Sequence, residues 1–556
     1  MSILFKVFDC EAYDWNRLYA IGIYDGINVS TFISKDSPNN DFVEWLLESL
    51  ENKDVVYAHY GGRYDFLFIF DYINSNSSCK LTFIKLIHSS IACFRIRYKG
   101  KLIEFRDSFN ILPDKLERLT NDFNVVHKKL TLDYELGMDD DRFKEYFNND
   151  LIGLYEVLIE ANELTAHLTI ASNAIHKYIS DFYSKITSIP ISRNNNNIDM
   201  MFRSAYSGGR VEIFKMVGEN LNYYDVNSLY PYVMRHNKYP LLHENNYESV
   251  DYFDANSIGI YNVMLRSPDS LSIPLLSYKH EGKLLFPLGS WNGYYTSSEL
   301  KKASSLGYEY DVINGWIFNE CDYIFNDYID YYYDIKRHSI GSKKAIAKLM
   351  LNSLYGKFGQ RRDFIDYKIS KEENGLRLMN MAFLPINKKD TFSKYLHSEV
   401  AAMITANARL ALYELFERAG FDNVYYCDTD SIITSTLLNT SDGLGDIKEE
   451  ARIDKYIAIA PKVYAYTSKD SVCIKAKGLR NTSISFKDFE DAIYDKNLNK
   501  FVSEFERLAS FKEHIIRHTD NYSSKLKINR KLAGIYDKRI IKDDLTTTPL
   551  IIKNNI

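Results

Sequence analysis

The chain has 556 residues, a net charge of −5, 46% hydrophobic residues and 26% charged ones. That length holds roughly three or four domains' worth of material, and no apolar run approaches the ~18–20 residues a membrane-spanning helix needs, which excludes a helical membrane protein. The six cysteines (10, 79, 93, 321, 427 and 473) form no CxxC pair, which argues against a zinc site and predicts an intracellular, reducing compartment.

The N-terminal "MSILFKVFDCEAYD" reads as a first strand rather than a targeting segment. Residues 1–110 read as α/β: "LYAIGIYDG", "VVYAHY" and "KLIEFRDSF" have strand character, and "DFVEWLLESLE" is helical. Residues 141–165 carry apolar residues at helical spacing. "SIPISRNNNNIDM" (188–200), with a proline and four asparagines, is the clearest linker. A second α/β region opens at "NYYDVNSLYPYVM", followed over 243–320 by a Gly/Pro/aromatic-rich segment. One long helical stretch is predicted for about 322–356, then strands and turns, a helix near 396–419, and "YYCDTDSII" at 425–433.

Charge is unevenly placed. From Ile335 to Arg362 there are eight Lys/Arg and no Asp/Glu, and a second basic tract surrounds "SSKLKINRKLAGIYDKR". Such tracts can line a groove that follows a phosphate backbone. A solvated helix face is the alternative for each. The 44 tyrosines read mainly as biased coding, although aromatic rings can also stack on bases.

Acidic residues fall into two sets, one on each side of the linker. In the first, Asp9 and Glu11 alternate at a strand end and so face the same way. Asp65 follows the turn "HYGGRYD", and Tyr146 and Asp150 stand four apart on a helix. In the second, Asp225 opens "DVNSLYP", and Asp428 and Asp430, two apart in an apolar β-prone run, are predicted to share one strand face. Like charges on one face repel, and a divalent cation is the natural remedy. Between these acids Lys344 and Lys348 are i,i+4, with Lys336 eight residues earlier. On one continuous helix all three point to one side, where they can grip a triphosphate.

Together these motifs resemble family B DNA polymerases, and specifically the protein-primed branch found in small phages and linear plasmids. "DVNSLYP", "KLMLNSLYGKFG" and "YCDTDS" are similar to the first palm, fingers and second palm motifs. "FDCEAYD", "HYGGRYDFLF" and "YFNND" are similar to the three exonuclease motifs, in order. "YSGGR" (206–210) resembles the motif joining the two modules, and "KVY" (462–464) and "KAKG" (475–478) resemble later basic elements. The resemblance implies an α/β and α+β multidomain protein. A ribonuclease H-like 3′–5′ exonuclease would occupy 1–187, a linker 188–200, and a right-hand polymerase 201–556. Within the latter it implies palm at about 201–231 and 396–480, a terminal-protein-region-like insertion at 232–320 and fingers at 322–361. A second insertion would take 362–393 and the thumb 481–556.

It also implies roles. Asp225, Asp430 and the Val226 carbonyl would hold two Mg²⁺, with Mn²⁺ able to substitute and Asp428 supporting. Tyr230 would exclude a ribose 2′-hydroxyl. Lys336, Lys344, Lys348, Asn352 and Tyr355 would bind the incoming dNTP. Asp9, Glu11, Asp65 and Asp150 would hold two further ions, with Tyr146 orienting water. Template-primer DNA would contact Tyr206, Gly208, Gly209, Ser108, Phe109, Lys462, Tyr464, Lys475 and Lys477. The pattern departs at Tyr60, where the family carries an asparagine that seats the single strand. The metal acids are all present, and hydrolysis is the expectation.

The first exonuclease motif starts at Asp9, leaving no room for the N-terminal domain usual in conventionally primed members, and both long spacers suit the protein-primed branch. The expectation is therefore a monomeric, protein-primed DNA polymerase with a terminal-protein partner and no membrane association. Its compartment would be host cytoplasm for a phage or virus, or mitochondrion for a linear plasmid. A conventionally primed enzyme and a non-catalytic DNA-binding relic are the alternatives.

Overall fold

The computed structural model describes residues 5–87, 89–130, 141–192, 196–360, 367–372, 375–380, 395–469, 471–479, 483–517, 521–532 and 534–553. Three sheets organise them.

The first has seven strands, in the order Val29–Ile33, Arg17–Tyr24, Lys6–Tyr13, Val55–Ala58, Lys101–Asp107, Ser90–Tyr98, Cys79–Ile87. Its centre is parallel and its margins antiparallel. The central strand Lys6–Tyr13 is covered on both faces. Val7 belongs to the core that includes Phe147, Leu151 and Leu154 of helix Asp141–Glu160, and Phe8 to the core of Phe42, Leu46 and Phe66. Strand alternation therefore sends Asp9 and Glu11 to the Val7 side, toward that helix. Gly22, paired with Asp9, permits the approach. A Cβ there would lie 2.6 Å from Phe147 and 2.7 Å from Leu151.

The second sheet also has seven strands, in the order Ser471–Ala476, Val463–Ser468, Ile447–Ala460, Val217–Val226, Ser431–Thr434, Val424–Asp428, Val211–Ile213. Helix Ser398–Ala419 is buried along most of its length, and part of its apolar surface joins a core with Phe214, Val424 and Ile432 of this sheet region. A helix apolar on several sides belongs inside a protein. The third sheet has five strands, Glu248–Val250, Glu309–Ile317, Gly259–Arg266, Leu288–Thr296 and Ile551–Lys553.

Several expectations change. The long helix predicted for 322–356 is two helices, Asn326–His338 and Gly341–Ser353. The chain is extended at Ile340 and takes a left-handed φ of +60° at Gly341. The predicted linker is packed at its C-terminal end: helix Asn196–Ala205 carries the buried Asp199, which accepts hydrogen bonds from Arg203 (2.9 Å) and Ser398 (2.6 Å). Residues 481–556 do not form one separate unit. Strand Ile551–Lys553 completes the third sheet, and the Thr547 hydroxyl donates to the Ile213 carbonyl at 2.9 Å. Of 362–393, the described residues form an antiparallel pair, Tyr367–Glu372 with Gly375–Asn380, and the rest lies outside the described residues.

The C-terminal region also docks on the first sheet's helices. Phe511 is fully buried, 4.5 Å from the Phe70 ring and 5.5 Å from Tyr522, and the Tyr522 and Ser523 amides donate to Asp71. Phe511→Ala leaves a ring-sized void and is expected to cost about 3–5 kcal/mol. Chemical denaturation and protease cutting within 500–530 should both report it.

Candidate active sites

At the first site Asp9, Glu11 and Asp150 each bring a carboxylate oxygen within 4.8 Å of the others. This is the one such three-residue cluster among the described residues. Burial raises all three pKa values, Glu11 to about 7, and repulsion by neighbouring acids adds to it at Asp9 and Glu11. Asp65, buried at the start of helix Asp65–Ser75, accepts from the Cys10 amide at 3.1 Å and is also pushed up to about 7. Tyr146, one helical turn before Asp150, donates its hydroxyl to Glu11 at 3.0 Å.

Sequence reasoning missed Lys129. Its ammonium pairs with Asp150 and lies 3.3 Å from the Tyr146 hydroxyl. No spacing marked it, because Lys129 precedes the third motif and lies outside every quoted run. Ser108 is also not where the resemblance implied. It is fully buried, donating to the Ala58 carbonyl (3.1 Å) and contacting His59 Nδ1 (2.9 Å), so it fixes His59 rather than touching a strand. Phe109 stays half-buried beside Tyr60.

At the second site Asp225 pairs in register with Ser431, and the Val226 amide donates to the Asp430 carbonyl at 2.8 Å. Asp428 and Asp430 do not alternate along one strand. Strand Val424–Asp428 ends at the first, and Thr429 turns the chain through a φ of 63° before the second. Their surroundings then diverge. Lys462 grips Asp428 at 2.6 and 2.8 Å, whereas Asp430 repels Asp225. Desolvation, Asp430 and Glu450 together raise Asp225 to about 7. Glu450, also missed, sits at a bulge between Glu449 and Ala451, where an extra residue re-aims the side chain. Gly209 makes the Thr429 turn possible, since a Cβ there would meet the threonine at 2.7 Å.

Tyr230 and Tyr355 stack at 4.4 Å and 8°. Lys336 stands on a different helix from Lys344 and Lys348, yet burial and these two cations lower its pKa. The helical pair thus brings together what one helix was expected to align. Lys336 donates to Ser228 at 2.8 Å. Asn352 is exposed, as are Lys475 and Lys477. Tyr206 and Gly208 offer carbonyls that accept from Lys279 (2.7 Å) and Arg409 (3.1 Å). Tyr464 is buried, 5.0 Å from the Tyr426 ring, and supports the sheet from within instead of presenting a surface ring.

This is the fold of an exonuclease joined to a palm, fingers and thumb. Phi29 DNA polymerase complexed with primer-template DNA and incoming nucleotide superposes with a TM-score of 0.73 at 20% identity, covering 95% of this chain and 100% of that one. Residues 47–143 and 140–439 match the family described as DNA polymerase type B, organellar and viral, and the chain belongs to that family. Among its relatives are a probable DNA polymerase of Podospora anserina (29% identical; 71% of this chain, 41% of the relative) and the DNA-directed DNA polymerase of Enterobacteria phage PRD1 (25%; 85% and 84%). The chain spans about half the length of the Podospora, Neurospora and Ascobolus relatives it matches.

Both sites fit divalent cations, because each gathers oxygen ligands that repel one another without one. Glu11, Asp65 and Asp225 near 7 stand well above the ~4 of an unfolded carboxylate. Their protonated forms favour the folded state, so stability in EDTA should fall as pH rises from 6 to 8. Mg²⁺ should raise the melting temperature more at pH 8 than at pH 6. A scan in both buffers measures the difference.

Proposed function

We propose that the chain is a DNA-directed DNA polymerase with a separate 3′–5′ exonuclease, primed by a protein and acting on a linear DNA element. The observation that carries this is two acid sites on two sheets of one chain: one with tyrosine and lysine, one beside three converging lysines.

In synthesis, Asp225, Asp430 and the Val226 carbonyl would hold magnesium, which would supply the charge that acidifies the primer hydroxyl and stabilises the leaving pyrophosphate. Lys336, Lys344 and Lys348 take the triphosphate, since three mutually repelling ammonium groups gain most from an anion. Tyr230, backed by Tyr355, forms a flat wall under the sugar. Lys462, Lys475 and Lys477 run along one edge of the palm sheet and suit a primer backbone. In degradation, Tyr146 and Lys129 orient the attacking water against Asp9, Glu11, Asp65 and Asp150, which would bind the second pair of cations.

Asp430→Ala should lower nucleotide incorporation by roughly a hundred- to a thousandfold while sparing degradation of single strands. Asp9→Ala with Glu11→Ala should do the reverse. Primer-extension and digestion gels on both variants separate the two activities, and loss of both in either variant overturns the division.

Protein priming rests on the folded insertion between palm and fingers and on the strand pair that follows the fingers. A primer protein has to place a hydroxyl where a DNA 3′ end otherwise sits, and these elements border that place in sequence. Incubation with the protein encoded beside it, Mg²⁺ and a labelled nucleotide should give a covalent protein–nucleotide adduct. Efficient extension of DNA primers with no adduct would assign the chain to conventional priming.

A further inference from the structure

The cavity that holds Asp9, Glu11, Asp65 and Asp150 is about 1200 Å³, and aromatic side chains border it, Tyr13, Trp15, Tyr60 and Tyr64 among them. Two of these are unusual in the same two ways. Trp15 and Tyr60 are 54% and 38% exposed, and both sit on left-handed backbone, at φ 71° and 66°. A bulky aromatic residue there is strained, and such strain persists where the site it serves requires it.

Trp15 occupies the turn between the first two strands, closed by the Asn16 amide donating to the Tyr13 carbonyl at 3.2 Å, with Asp14 also left-handed at φ 48°. Turns of this kind favour glycine or asparagine. The indole is instead displayed, its ring centre 6.2 Å from that of Tyr64 and nearly perpendicular to it. Tyr60 is braced from several sides. Phe109 meets it edge-on at 4.8 Å, Arg63 donates to its hydroxyl at 3.0 Å, and the same guanidinium lies 5.3 Å from the ring centre. Neither ring takes part in the acid chemistry.

We propose that Trp15 and Tyr60 are stacking platforms for the bases of a single strand whose 3′ end reaches the acids. The inference rests on the exonuclease reading of this cavity. An aromatic face accepts any base, which suits a site that must take whatever nucleotide was misplaced. Lys512 and Arg530, on the C-terminal wall of the cavity, supply positive charge for the backbone.

The test uses the full chain in EDTA, so that binding is read without cleavage, with short oligothymidylate as probe. Oligothymidylate should quench tryptophan fluorescence, and Trp15→Phe should lose that quench while keeping its affinity by anisotropy. Trp15→Gly and Tyr60→Ala should each bind about tenfold more weakly. Trp15→Gly should also melt at the same or a higher temperature, because glycine suits that φ. With Mg²⁺ restored, an abasic 3′ end should raise KM for the wild type and not for the doubly substituted chain. Unchanged affinity in Trp15→Gly, or a lowered melting point that accounts for its weaker binding, would overturn the stacking pair and leave the exonuclease standing. A wild type that neither binds nor degrades single strands would instead bring down the exonuclease reading itself.

Discussion

Carboxylates buried beside one another set the terms for both halves of the molecule. Two like charges 4 Å apart at a protein surface repel by about 4 kcal/mol, and desolvation adds to that. Asp9, Glu11 and Asp150 face this cost at the first site, and Asp225 and Asp430 at the second. The fold answers in the same way twice. A lysine from outside the acid-bearing strands sits on one carboxylate of each set, Lys129 on Asp150 and Lys462 on Asp428. The remaining acids stay short of positive charge, which is the condition that makes a cation site.

The supporting architecture follows from that demand. Carboxylates can be held together only by elements with little freedom to move apart, and each set hangs from a central strand of a seven-stranded sheet. At the first site the helix Asp141–Glu160 is pressed close enough, over Gly22, to bring Tyr146 and Asp150 to the strand's acids. At the second, a left-handed Thr429 and the glycine beneath it separate two neighbouring aspartates into different roles. The same sheets continue into one another through shared packing. Tyr178 of the first half donates to the Ile324 carbonyl, just before helix Asn326–His338, at 3.0 Å, and Phe511 reaches back from the far end of the chain.

Much of this was legible in sequence because it is local. The parity of Asp9 and Glu11, the four-residue step from Tyr146 to Asp150 and the strand character around each acid all follow from backbone periodicity. Misreadings arose where a single residue's conformation or a distant partner decides. Charge and helical spacing ran unbroken through 335–348, and the break at Ile340 and Gly341 left no mark on the apolar pattern. Spacing placed Asp428 and Asp430 on one face because φ at Thr429 is invisible to alternation. Ser108 and Tyr464 matched motif positions, yet burial against His59 and Tyr426 turned them inward. Lys129 and Glu450 depend on a tertiary approach and a bulge, neither of which a one-dimensional pattern encodes.

The pairing of Ile551–Lys553 with Leu288–Ser290 has a consequence for how the molecule is made. These partners are nearly half of the sequence apart in a parallel arrangement, among the slowest contacts to form because so much chain entropy is lost first. Until Ile551–Lys553 has left the ribosome, the outer edge of the third sheet at Leu288–Ser290 lacks the strand that covers its amides and carbonyls. An uncovered edge of that kind invites pairing with other chains. During synthesis the second sheet, helices Asn326–His338 and Gly341–Ser353 and most of the C-terminal region are made before that edge is closed. The third sheet therefore waits on the last strand of the chain for the cover of one edge.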